Sequence, residues 1–154
     1  MKIAFDSNVL CYLAEVCKTE GDEQKKADID RILLGLPENV PLVVPYQALG
    51  ECYHVMMRFG YSRDWCRSII NYWIANLEPL PSTETAFMLA IDLAADHKLQ
   101  FWDALILSVS AEAGSTLLLS EDLQPGFTWR GVTVVNPFAV EMDRRLARLL
   151  TEAS

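Results

Sequence analysis

A chain of 154 residues, 51% of them hydrophobic, can bury a substantial core without disulfides or a structural metal, so one domain spanning 1–154 is expected. Its formal net charge of −8 excludes a broadly basic surface, and a polyanionic partner would have to be met by local basic patches or bound cations. Cysteines 11, 17, 52 and 66 form no CxxC pair and only His54 and His97 could supplement them, which argues against a thiolate zinc site and for buried, reduced thiols.

Lys2-Ile3-Ala4-Phe5 reads as a short buried strand that meets Asp6 before any signal-like apolar stretch develops. No later segment is long and apolar enough to span a bilayer, so a soluble, cytoplasmic protein without membrane contact is expected. Residues 9–16 carry Leu10, Leu13 and Ala14 at helical spacing, and 18–23 is a polar loop. Ala27, Ile29, Ile32, Leu33 and Leu36 mark a second amphipathic helix with a solvated charged face, ending before Pro37.

Val40-Pro41-Leu42-Val43-Val44 predicts a strand, and Tyr46, Leu49, Tyr53, Met56 and Phe59 a helix stopped by Gly60. Ser62 can cap a helix through Trp65, Ile69, Ile70 and Trp73, and Ser82 or Thr83 another through Phe87 to Ala94. A helix over 102–113 closes at Gly114, strands follow at 116–119 and 132–135, and a terminal helix starts at Val140. This alternation predicts an α/β fold with a central, mainly parallel sheet flanked by helices in three α/β/α layers.

Asp6 and Asp122 each follow a strand of that sheet, where open parallel sheets bind ligands beyond the strands' carboxyl ends. Glu51 lies on the helix that follows the second strand, and Asp103 in the first turn of the 102–113 helix. Singly, each has an ordinary explanation. An acid in the first helical turn stabilises the helix dipole by roughly 0.3–1 kcal/mol, and post-strand acids commonly cap turns. Together in one cleft they repel one another and call for a hard divalent cation, which prefers oxygen ligands and can activate water against a phosphodiester.

The same residues carry a resemblance. Phe5-Asp6-Ser7-Asn8-Val9-Leu10 resembles the opening D-[ST]-[NS] motif of the PIN domain, and Leu49-Gly50-Glu51 its helix-borne glutamate. Phe101-Trp102-Asp103-Ala104 is similar to its third acid motif, and Leu119-Ser120-Glu121-Asp122 to its [TS]-x-D fourth. The closing Val134-Val135-Asn136-Pro137-Phe138 is similar to the ending of VapC-type toxins of bacterial toxin–antitoxin pairs.

The resemblance implies a PIN-like fold and a Mg²⁺- or Mn²⁺-dependent endoribonuclease, commonly a homodimer, held inactive by a small VapB-like antitoxin. It implies that Asp6, Glu51, Asp103 and Asp122 are the catalytic metal ligands, oriented by Asn8 and Ser120. Products would carry 5′-phosphate and 3′-hydroxyl ends. Ser7 and Ser120 stand where threonine is frequent, and the extra acid Glu121 reads as solvent-exposed. The alternatives are a PIN nuclease working in RNA processing or on structured nucleic acid outside a toxin pair, and a non-catalytic RNA- or protein-binding PIN module.

Arg58, Arg63 and Arg67 flank a turn and helix that could grip RNA phosphates, with Trp65 or Tyr61 for base stacking, against the simpler reading of solvated charge. Arg144, Arg145 and Arg148 are expected to pair with acids such as Glu141 rather than RNA. His97 suits a helix C-terminus, His54 a helix surface near Glu51, and all four tryptophans a packing role.

Overall fold

The computed structural model describes residues 1–16 and 19–152. The described residues form β1 (Ile3–Phe5), α1 (Ser7–Leu13), α2 (Asp22–Gly35), β2 (Leu42–Pro45), α3 (Tyr46–Arg58), α4 (Arg63–Asn76) and β3 (Glu78–Leu80). The chain continues through α5 (Glu84–His97), α6 (Phe101–Glu112), β4 (Leu117–Leu119), β5 (Thr128–Trp129), β6 (Val132–Val135) and α7 (Arg144–Glu152).

The strands lie in the order β3-β2-β1-β4-β6-β5, every neighbouring pair parallel except β5 with β6. The mainly parallel sheet flanked by helices is the architecture expected from the alternating pattern. All residues of β1, β4 and β6 are buried. Near-continuous apolar runs of this kind, interrupted in β6 by Thr133, belong to strands covered by helices on both faces. The chain leaves β1 toward β2 on one side, and β4 enters on the other, so the strand order reverses between β1 and β4. Their carboxyl ends thus flank a crevice at the sheet's switch point.

Local chemistry sets the helix starts. The Ser62 hydroxyl accepts from the Trp65 N–H at 3.2 Å and the Thr83 hydroxyl from the Ala86 N–H at 3.0 Å, as their cap positions predict. Helix α1 begins at Ser7, two residues before the expected start, because the Asp6 side chain accepts the Ser7 N–H and caps it. Helix α2 starts at Asp22, inside the stretch expected to be loop, after Gly21 turns the chain at φ 96°. Helix α7 starts four residues later than Val140. Asp143 takes the amide protons of Arg145 on its carboxylate and of Ala147 on its carbonyl, leaving Glu141 outside the helix. Arg145 accordingly pairs with Asp143 at 3.4 Å, not with Glu141.

Two strands had no strong sequence signal. Strand β3 is a three-residue edge containing Pro79, and β5 is two residues joined to β6 by Arg130 and Gly131. Both turn residues have positive φ, 46° and 86°, the requirement of a tight hairpin whose twist matches its strands.

The core joins the sheet to Val9, Leu10, Met56, Leu93, Ile106 and Leu107 on the helices. Cys11 and Cys52 bring their sulfurs to 3.2 Å in the α1–α3 seam, and Cys66 is buried too, whereas Cys17 lies outside the described residues. No helix among the described residues is long and apolar enough to cross a membrane.

Leu118→Ala, in the middle of a fully buried strand, is expected to lose about 2–5 kcal/mol in urea denaturation. Leu34→Ala, at a residue 89% exposed, should stay within about 0.5 kcal/mol of the parent.

Candidate active site

Asp6 ends β1, its N–H bonded to the Leu119 carbonyl at 3.0 Å, which ties it to the end of β4. Asp6 as a whole is only 3% exposed. Oδ1 accepts from the Ser7 N–H at 2.7 Å, and Oδ2 from the Ser120 hydroxyl at 2.7 Å and the Asn8 amide at 3.4 Å. Ser120 Oγ also accepts the N–H groups of Asp122 and Leu123, both at 3.3 Å. A hydroxyl has one proton to give, and those two donors aim it at Asp6.

Burial still pushes the Asp6 carboxyl up to about 6, the bonds from Ser120 and Ser7 opposing and the charges of Glu51 and Asp103 reinforcing the rise. Glu51, on α3, is held by the Ser7 hydroxyl at 3.0 Å and the Gln47 amide at 3.0 Å. Asp122 is exposed on the loop after β4 and accepts from the Asn8 amide at 3.1 Å, while Asn8 Oδ1 takes the Glu121 N–H at 3.2 Å. Asp103, in the first turn of α6, has no hydrogen bond among the described residues. Its carboxyl is raised by burial and then by the charges of Glu51 and Asp122.

The structure therefore brings all four sequence-selected acids, with Asn8 and Ser120, to the carboxyl end of the central strands. Among the described residues no three such side chains stand close enough together to enclose a cation already. The donor set is nevertheless all oxygen, and among the described residues its like charges are compensated only by neutral hydroxyl, amide and backbone donors. A hard divalent cation fits that chemistry, and a soft one does not.

Five residues beyond the sequence selection shape the site. Ser7 joins Asp6 to Glu51 and Gln47 steadies Glu51. Glu121, expected in solvent, instead binds the Lys25 ammonium and accepts the Tyr12 hydroxyl at 2.7 Å. Lys25 also bonds the Tyr12 oxygen at 3.0 Å, so the charged face of α2 is partly engaged. These bonds hold the Lys25 ammonium's pKa above its usual range, Glu121 contributing most, while burial pushes the Tyr12 phenol up to about 12.

Arg58, Arg63 and Arg67 are exposed, Arg67 pairing with Asp64 at 3.4 Å. Tyr61 and Trp65, the pair considered from sequence for base stacking, stack on each other at 4.4 Å and are partly buried against the core. Trp73 is buried and Trp129 packs on the core, but Trp102 is 48% exposed, because it precedes Asp103 on the outward side of α6. His97 closes α5 edge-on to Phe127, and His54 is exposed on α3. A cleft of about 450 Å³ between α3 and Trp102 includes Glu51 and Ser7. A larger one of about 790 Å³, near Tyr12 and Asp22, holds none of the four acids.

Asp6 makes stability pH-dependent. Below its ordinary value of 3.8 the carboxyl is protonated whether the chain is folded or not. Between that pH and about 6 the unfolded chain releases its proton first, so stability falls as pH rises, and the penalty is complete above about 6. Its size is about 3 kcal/mol in metal-free protein. Asp6→Asn should reduce this slope, leaving the smaller part due to Asp103, and raise the melting temperature in EDTA at pH 7. An unchanged slope would show that Asp6 is not the destabilising group.

The family model of the PIN domain matches residues 3–125. A comparison with curated protein sequences gives no match. Among solved structures, a toxin–antitoxin complex from Klebsiella pneumoniae superposes with a TM-score of 0.65 at 15% identity, covering 90% of this chain and 99% of that one. VapC20 of Mycobacterium tuberculosis, a toxin that cleaves the sarcin–ricin loop, gives 0.62 at 16%, covering 78% and 91%. VapBC2 of Rickettsia felis, bound to a promoter DNA fragment, gives 0.59 at 13%, covering 79% and 88%. At these identities the likeness is one of fold. The matched segment runs from β1 to the loop beyond β4 and contains all four acids, and the chain belongs to the PIN domain family.

Proposed function

We propose that the chain is a divalent-metal-dependent endoribonuclease, a single PIN domain acting as the toxin of a VapBC-type pair in the cytoplasm. The observation that carries this reading is the state of Asp103: a partly buried carboxylate, without a hydrogen bond among the described residues, whose pKa is raised first by burial and then by the charges of Glu51 and Asp122. Such a group gains most from a cation. Asp6, Glu51, Asp103 and Asp122 would hold Mg²⁺ or Mn²⁺, with Asn8 and Ser120 orienting Asp6 and Asp122. When bound, the cation supplies Lewis-acid charge that lowers the pKa of water and balances charge on the phosphate.

The chain's own residues supply position. Ser7 and Ser120 fix Asp6 from two sides, and Gln47 and Ser7 fix both oxygens of Glu51. Rigid carboxylates lose little entropy when a charged ligand arrives, which favours a defined geometry over loose ion capture. Arg58, Arg63 and Arg67 serve as phosphate contacts, attracting RNA that the overall charge of −8 repels. Kinship in fold to the two toxin–antitoxin complexes supports a small VapB-like antitoxin as partner; the working form on this reading is a homodimer, as the family resemblance implies.

The test is cleavage of mixed total and transfer RNA by purified protein. Discrete products are expected with Mg²⁺ or Mn²⁺, none in EDTA, and a loss of roughly 100-fold or more in Asp103→Asn. Cleavage that survives either EDTA or that substitution would overturn the site.

A further inference from the structure

Gln47, Glu51, His54 and Arg58 are spaced by four, three and four residues, which puts them on one face of α3. Exposure rises along this stripe, from partly buried Gln47 and Glu51 to exposed His54 and Arg58. Arg58 lies seven residues beyond Glu51, about 10 Å along the helix axis. Gly50 lines the same cleft, and a Cβ there would meet nothing within 4 Å, so the absent side chain leaves the cleft open beside Glu51.

Trp102 forms the opposite wall. Its indole is braced edge-on by Phe101 at 4.9 Å, and Phe101 in turn by Phe87 at 5.1 Å. The other three tryptophans are spent on packing: Trp73 is 5% exposed, Trp65 stacks on Tyr61, and Trp129 lies on the core beneath Arg130. A large aromatic ring left half in water, backed by a neighbouring ring, and one residue from an acid of the site has its apolar surface available to a planar ligand. Single-stranded RNA supplies such planes, since unstacked bases are recognised by aromatic stacking and by contacts at their edges.

We propose that the cleft between Trp102 and the His54 stripe of α3 is a nucleobase subsite, in which Trp102 stacks the base adjoining the scissile phosphate. His54 and Gln47 stand at the base edge; the Gln47 amide nitrogen is bonded to Glu51, leaving its carbonyl oxygen to accept. Arg58 takes a phosphate further along the strand. The subsite rests on the ribonuclease reading, because Glu51 and Ser7 belong both to this cleft and to the acid centre. It further assigns a direction, with the bound strand running from the acids along α3 toward its C-terminal end.

The test uses the full-length protein, Trp102→Ala and Trp102→Phe, with two readouts. The first is tryptophan fluorescence during titration with adenosine 5′-monophosphate in Mg²⁺, excited where the base does not absorb. Saturable quenching is expected in the parent and in Trp129→Phe, and none in Trp102→Phe. The second is steady-state RNA cleavage: KM should rise roughly 5- to 150-fold in Trp102→Ala with kcat unchanged, and Trp102→Phe should recover most of the loss. Quenching that persists in Trp102→Phe, absence of quenching in the parent, or an unchanged KM in Trp102→Ala each overturns the subsite. If the parent cleaves no RNA, the nuclease reading fails on its own, and the titration still decides whether a base sits on Trp102.

Discussion

The arrangement depends on a buried carboxylate at the point where the sheet changes direction. Asp6 cannot be moved outward, because its backbone is hydrogen-bonded to β4 and its side chain caps α1. It cannot be well solvated there either, and the surrounding donors only partly offset the cost of ionising it. Ser7, Asn8 and Ser120 surround that one charge, and each also touches a second acid or the loop carrying it. The positions of Glu51 and Asp122 are thus referred back to Asp6 through single side chains.

The fold was legible in the sequence wherever burial was uniform. Ile3-Ala4-Phe5 and Leu117-Leu118-Leu119 are apolar without alternation, and Val132 to Val135 is interrupted only by a buried threonine, which is how strands covered on both faces read. Strand β3 escaped because its Pro79 argues against a strand unless the strand is an edge, and β5 because two residues carry no period. The start of α1 was misplaced for an instructive reason. The residue read as a candidate ligand is also the helix cap, and sequence pattern does not reveal both roles at once.

The four acids were legible because each falls at a fixed place relative to a strand end or helix start. The partners that hold them were not, since the Ser7–Glu51, Asn8–Asp122 and Lys25–Glu121 pairings join residues 44, 114 and 96 positions apart. Glu121 looked solvated because nothing adjacent in the chain could pair with it. Trp102 looked like core because tryptophan usually is; only the packing of its neighbours leaves it half exposed.

The acids differ in how firmly they are held. Asp6 is immobilised by the sheet, whereas Asp122 is exposed on a loop steadied by Asn8 and, through its neighbour Glu121, by Tyr12 and Lys25. The acid centre thus has one member set in the sheet and one carried on the solvent side. On the metal-dependent reading, an ion held there would be seated from the protein side by Asp6 and reached from water past Asp122, so its exchange with solution would not require the fold to open.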